Sequence, residues 1–398
     1  MTVYAIDFGT SGAKRSDGRT VEYPTHYPAP GHVEQHPSDW FHAFEKLFVP
    51  DAEAMVLTGQ MQDLIYLDRD DDTAVLYSDT RSRVPAIDGW EDISGNLQGP
   101  TSNVAMMYTL GPGRVVFSPF GYIAHRLGLG EYVDPTTAST TGFLDLRTRM
   151  WSDTVCSAIG VDADRHLPTI AEGQIGTYRG VDIILAPGDA ATTALGIGAE
   201  HIYLGTTGWH AQITQTVAEH RPEKHTLALG DDRFLSIAAI QAAGSARDEA
   251  LRLFPVDGSL PEGPSGVVAL PTFFGERYPR RVETPGAAFL GVTPQTTTAH
   301  LHKAILEGVC IALSFDVDPT GEPLAAVGGC TRSPEWMQIL ADVTGRTIEV
   351  LPDFNAGTVG ALRFAGVDIP TPAPSAVYPP QSSYEDEKAR FMAVLGIL

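Results

Sequence analysis

Basic residues are scarce in this chain. Its 398 residues hold 27 Lys and Arg against 49 Asp and Glu, a formal charge of −22. That field repels phosphodiester backbones and anionic lipid, so neither nucleic acid nor membrane is an expected partner. The acidic residues are spread along the chain, as on a solvated surface, and an anionic ligand has to be gripped locally by N–H groups, a metal ion or a few cations. Cysteine is scarcer still. Cys156, Cys310 and Cys330 are odd in number, far apart and without CxxC or Cys/His spacing, which fits a reducing cytosol. Long apolar runs are missing: residues 3–6 have no basic leader before them, so a cytoplasmic location is expected, and Pro187, Gly188 and Asp189 break the apolar stretch of residues 183–199 well short of a membrane span. Neither GxGxxG nor a P-loop pattern occurs, which removes the dehydrogenase and P-loop readings. His26, His32 and His36 lie close in sequence but share no ligand spacing.

At 398 residues the chain exceeds the roughly 250 to 300 at which a single core stops growing, so two domains are expected. The stretch from Ile183 to Gly208 concentrates the chemistry. Residues 183–185 read as a buried strand, the Ala-rich residues 190–199 as a helix, and residues 202–204 as a strand running into Gly205-Thr206-Thr207-Gly208. Asp189 is thereby placed at a strand end ahead of a helix, where α/β sheets bind ligands; it is equally a plain N-cap. The turn has a counterpart at Gly9-Thr10-Ser11-Gly12, after a strand that carries Asp7 and before Lys14. Glycines and short hydroxyl residues with exposed N–H groups make an anion cradle. Two such cradles serve to grip a polyphosphate; two unrelated tight turns are the alternative.

Between them, residues 15–19 read as a turn followed by a short strand, Ser38 leads into a helix, residues 54–59 form a strand ending in Gly59-Gln60-Met61-Gln62-Asp63, and Asp70 to Asp72 mark a solvent-facing hairpin tip. Gln60, Gln62, Asp79 and Arg81 are polar groups at strand ends, suited to a polyol, although Asp79 and Arg81 equally make a local salt bridge. Residues 134–142 read as a polar loop. Residues 299–315 carry helical apolar spacing, and residues 324–327 form a strand that enters Gly328-Gly329 and then a helix capped by Ser333, with Pro334 and Glu335 in its first turn.

In this order the motifs resemble the FGGY carbohydrate kinases, xylulose kinases above all. The matching segments include Asp7 to Lys14, Pro30-Gly-His-Val-Glu-Gln35, Gly59 to Met61, Asp79-Thr-Arg81, Thr141 to Trp151, Gly188-Asp189, Leu204 to Gly208, Gly275-Glu-Arg277, Ala288 to Gly291, Leu306-Glu-Gly308 and Gly328-Gly329. The resemblance implies an α/β, two-domain actin-like (ribonuclease-H-like) ATPase fold with a cleft between domains at residues 1–199 and 200–398 and a hinge near Ala199. It implies ATP and Mg²⁺ and a sugar substrate such as a pentulose; a homodimer is one assembly left open, since the sequence does not give the oligomeric state. By resemblance Asp189 is the general base, Asp7 and Asp189 serve the metal, Thr10, Ser11, Lys14, Gly205, Thr206, Thr207, Gly328, Gly329 and Glu335 serve the nucleotide, and Gln60, Met61, Gln62, Asp79, Arg81 and Ala190 face the sugar. Gln62 and Ala190 depart from the residues xylulose kinases commonly carry, and no strand is expected after Lys14. The alternatives are a kinase of glycerol or another polyol, and a catalytically impaired actin-fold protein that binds sugar or nucleotide.

Overall fold

The computed structural model describes residues 2–198, 200–217, 223–230, 232–256 and 258–396. It forms two compact units that interleave along the chain. The first comprises Met1–Gly198, Ile213–Ser236 and Asn355–Thr371, the second Ala199–Gln212, Ile237–Phe354 and Pro372–Leu398. Ala199, where a hinge is expected, lies outside the described residues.

The first unit is built on a six-stranded sheet in the order Gly173–Tyr178, Val181–Leu185, Ala54–Gly59, Val3–Gly9, Gly12–Arg15, Thr20–Glu22. Ala54–Gly59 is buried at every position, as an apolar run between two parallel neighbours should be. Asp7 pairs with Thr58, and Leu57 pairs with Leu185. Three parallel strands therefore end together, and their last residues lead directly to Asp7, Gln60 and the segment before Asp189. Ile6, Phe8, Met55, Leu57, Ile183 and Leu185 enter one core with Trp40 and Phe44 of the Pro37–Leu47 helix. That helix begins after His36 with no side-chain cap; Ser38 is spent on Asp72, to whose Oδ1 its N–H donates at 3.0 Å.

A strand does follow the first Gly-Thr turn, contrary to the sequence expectation, while the short strand expected after residues 15–19 is present as Thr20–Glu22. Gly12–Arg15 and Thr20–Glu22 form a hairpin on the sheet edge, with Lys14 opposite both Asp7 and Thr20. Its charges mask it: Arg15 is buried, donating to the Leu47 carbonyl at 2.7 Å and pairing with Asp17 at 2.6 Å. Residues 134–142 are likewise not simply a loop. Pro135–Thr140 is a helix whose N-cap is Asp134, with Pro at the first helical position, the same grammar as Ser333-Pro334. The Ala356–Phe364 helix returns to this unit and crosses Asp189–Ile197 so closely that a Cβ on Gly360 would run into the Thr192 carbonyl.

The second unit repeats the logic. His201–Leu204 turns back into Gly208–Thr214 and pairs in parallel with Leu324–Val327, which pairs in parallel with Ile348–Val350. The Thr298–Ser314 helix is buried along nearly its whole length, with Ile305, Val309 and Ala312 packed in a core with Leu204, Trp336 and Leu340. Ser333 Oγ caps the Pro334–Thr344 helix by accepting the Trp336 N–H at 3.4 Å, and Gly345 ends it in the left-handed conformation. The two Gly-Thr turns differ by a residue: Gly9 pairs with Gly12 across a two-residue tip, whereas Leu204 pairs with Gly208 across three residues.

Candidate active site

Asp189 is the first residue of the Asp189–Ile197 helix, and Gly188 rather than Asp189 is its N-cap. The carboxyl is therefore not consumed in capping. Asp7 and Asp189 each keep part of their surface open while lying deep in the first unit, as at the floor of a recess. Burial raises Asp189 from the usual carboxylate range to about 7; the charge of Asp7 adds to this, the Ala190 N–H opposes it, and Asp134 adds a further push. Burial likewise raises Asp7 to about 6, against the pull of Lys14.

The backbone around this pair is tightly specified. Asp134 is fully buried; its Oδ1 accepts the Thr137 N–H at 2.9 Å and the Gly188 N–H at 3.1 Å, and its Oδ2 has no hydrogen-bond partner among the described residues. Burial raises its pKa as well. A Cβ on Gly188 would collide with Met61 and lie 2.9 Å from Thr137 Oγ1, so Met61 rests directly on the residue before the acid. A Cβ on Gly357 would lie 2.7 Å from Asp7 Oδ2. Thr58, opposite Asp7, donates its hydroxyl to the Pro187 carbonyl at 2.6 Å and so ties the middle strand to the segment that carries Asp189.

The sugar-side candidates are placed as follows. Gln60 is buried at the strand end, and its Nε2 donates to Gln35 at 3.1 Å. Gln62 takes a left-handed φ of 68° and turns its amide to the Thr101 carbonyl at 2.8 Å, while its own carbonyl accepts from Asn103 at 3.1 Å. Ala190 follows Asp189 in the helix. Asp79 is fully buried, and both its oxygens are engaged: Oδ1 by the Arg81 N–H and guanidinium, Oδ2 by Arg81 at 2.6 Å and the Val33 N–H at 2.7 Å. Arg81 also pairs with Glu34 at 2.6 Å. These two side chains are committed to each other and to the loop at residues 33–34.

The carbonyls of both turns are drawn inward, and in the second turn the Gly205 N–H is itself taken by the Thr207 carbonyl at 2.9 Å. Gly9 O accepts the Tyr23 hydroxyl at 2.7 Å and Thr10 O accepts Gln35 Nε2 at 2.6 Å. The N–H groups of Thr10 and Ser11 have no partner among the described residues, and Ser11 and Lys14 are exposed. In the second unit Gly205 O accepts the Gly244 N–H at 2.8 Å, and Thr206 O accepts those of Ala243 and Ser245 at 3.0 and 3.2 Å. Thr206 and Thr207 are exposed. Gly328, with φ 105°, lies so near Leu204 O that a side chain has no room, and Gly329 and Glu335 are exposed beside it in sequence.

Residues 203–369 match the C-terminal domain of the FGGY family of carbohydrate kinases. The chain is 26% identical to the xylulose kinase of Escherichia coli (strain K12), over 91% of this chain and 89% of that protein. Its fold matches the xylulose kinase of Rhodospirillum rubrum with a TM-score of 0.85 at 19% identity, covering 100% of this chain and 99% of that one. It also matches Plasmodium falciparum glycerol kinase with ADP, TM-score 0.81 at 17% identity, covering 100% and 97%. The chain is thus similar to the FGGY carbohydrate kinases, through the family's C-terminal domain and through full-length relatives.

These likenesses support an ATP-dependent carbohydrate kinase with the two-domain actin-like fold. No helix among the described residues of the kinase is long and apolar enough to cross a membrane. None of its described residues forms a cluster of three or more metal-ligating side chains. What fits a hard divalent ion instead is the pair of desolvated carboxylates, since Mg²⁺ is commonly bound through one or two carboxylates together with substrate phosphates and water. Sequence reasoning passed over Asp134, Asn103 and Gly357 in this kinase. Asp134-Pro135 had a readable signal, the cap followed by proline; Gly357 had none, because its neighbour Asp7 is remote in sequence.

Proposed function

We propose that this kinase transfers the γ-phosphoryl group of ATP to a hydroxyl of a pentulose such as D-xylulose, with Asp189 as general base. One observation carries the reading: a carboxyl at a strand end, free of capping duty, raised to about 7 by burial and by its neighbour Asp7. A base is most useful when its pKa lies near the working pH, and a positioned one contributes roughly 10² to 10⁴ in rate. Asp189 takes the proton of the sugar hydroxyl as that oxygen bonds to phosphorus and the bridging oxygen leaves with ADP. Bound ATP with Mg²⁺ supplies the transferable phosphoryl group and neutralises its charge.

The chain's own part is to hold and orient. Asp7, through water, and Asp189 would hold Mg²⁺, which would neutralise phosphate charge. The Thr10 and Ser11 N–H groups, with Lys14, hold phosphate oxygens, and the turn at Gly205, Thr206 and Thr207 serves the nucleotide. Adenosine lies along the Gly328-Gly329 backbone, beside the first turn that carries Glu335. Gln60, Met61 and Gln62 face the sugar, next to Asp189 and Ala190. The xylulose kinase relatives favour a pentulose over glycerol. A panel of pentuloses, hexuloses and glycerol with purified enzyme, ATP and Mg²⁺, read by ADP release and by mass of the product, tests this. Turnover fastest on D-xylulose supports it, and turnover only on glycerol overturns it.

A further inference from the structure

The Pro-Gly-His-Val-Glu-Gln stretch ends in Gln35, a side chain that touches neither Asp7 nor Asp189 and is 1% exposed. Its amide is fully used. Nε2 donates to the Thr10 carbonyl at 2.6 Å and to Thr25 Oγ1 at 2.9 Å, and Oε1 accepts from Trp40 Nε1 and Gln60 Nε2, both at 3.1 Å. Two donors and two acceptor positions are all a primary amide has. One of those partners is the tip of the first phosphate turn, and another is the residue after the Ala54–Gly59 strand.

A second path runs alongside. Asp63, in the same segment as Gln60, is fully buried, and its Oδ1 accepts the Tyr77 N–H at 3.2 Å. The Tyr77 hydroxyl in turn lies 3.2 Å from Thr10 Oγ1. Gln35 and Tyr77 thus each link residues 59–63 to Thr10, all within the first unit.

We propose that Gln35 is a positioning residue that couples the sugar-side segment at residues 59–63 to the first phosphate turn, so that a carbohydrate contacting Gln60 sets the orientation of Thr10. This rests on the assignment of sugar to the Gln60 side and phosphate to the Thr10 side. A polar side chain that only filled space would have no need to end on both. Misplacing a group by about 1 Å from outside the chemistry lowers turnover on the order of 10²-fold, so the effect belongs in kcat.

The test compares wild type with Gln35→Leu, which cuts both links, and Gln35→Glu, which keeps an acceptor for Trp40 and Gln60 but sets an oxygen against the Thr10 carbonyl. The inference expects kcat per folded enzyme to fall on the order of tenfold or more in both, with KM for ATP and sugar held within about threefold, because Gln35 touches neither ligand. Hydrogen exchange without ligand gives a second readout: peptides covering residues 9–14 and 59–63 lose protection together in Gln35→Leu. Unchanged kcat, or protection lost over only one of the two segments, overturns it. If Gln35→Leu does not fold, Gln35→Glu carries the kinetic test. Failure of the wild-type enzyme to phosphorylate any sugar would count against the function proposed above, and the exchange measurement would still decide whether Gln35 joins the two segments.

Discussion

Asp134 Oδ1 accepts the Gly188 N–H at 3.1 Å, so one buried carboxyl fixes the residue immediately before another. The same oxygen caps the Pro135–Thr140 helix through the Thr137 N–H. Asp134→Ala removes both bonds and leaves two N–H groups without them, a loss of about 1–3 kcal/mol in stability by denaturant titration. Because Gly188 positions Asp189, kcat falls with it, on the order of tenfold or more. Asp134→Asn keeps an acceptor oxygen and retains most of both.

Asp7 and Asp189 make the ligand-free protein pH-sensitive in a definite direction. Their folded pKa values, about 6 and about 7, lie above the 3.8 of a free carboxyl. Between 3.8 and those values the folded state binds more protons than the unfolded one, so stability falls as pH rises. The loss begins above the unfolded pKa and is complete above about 7. Asp189→Asn removes its share: its melting temperature exceeds that of wild type at pH 8, and the difference vanishes near pH 5, where the wild-type acid is already neutral. Thermal melts at the two pH values check this. A variant that is less stable than wild type at pH 8 contradicts it.

Gly357 packs against the Asp7 carboxyl, with a prospective Cβ 2.7 Å from Oδ2. Alanine favours a helix over glycine by up to about 1 kcal/mol, so Gly357→Ala should fold. The added methyl displaces the Asp7 carboxyl. The expected outcome is a higher concentration of Mg²⁺ and ATP for half-maximal rate with a near-normal melting curve.

Asp79 and Arg81 separate a structural role from a sugar contact. With both carboxylate oxygens engaged by Arg81 and the Val33 and Arg81 N–H groups, Asp79→Ala breaks a buried ion pair, a destabilisation on the order of 3 kcal/mol. KM for the sugar stays near wild type at a temperature where the variant is folded. A large rise in KM without loss of stability would return Asp79 to the sugar.

Much of this was legible in the residues themselves. The two Gly-Thr turns, the strand ahead of Asp189 and the Ser333-Pro334 cap depend on local grammar, and the structure has each of them. The edge strand Gly12–Arg15 was hidden because Arg15 is buried by long-range partners at Leu47 and Asp17 rather than by apolar neighbours. The Pro135–Thr140 helix was missed because its polar residues are buried against the rest of the fold: Thr136 donates to the Ala228 carbonyl at 2.9 Å, and Ser139 accepts the Ala228 N–H at 2.8 Å. Gly357 beside Asp7 and Gln35 between Thr10 and Gln60 are contacts across the chain, and no local pattern marks them.

The most direct measurement is kcat of Asp189→Asn with ATP, Mg²⁺ and the best sugar of the panel. The amide keeps the shape of the side chain but takes no proton, so kcat falls by roughly 10² or more while nucleotide binding persists. Turnover within about tenfold of wild type would contradict the assignment of Asp189 as the general base.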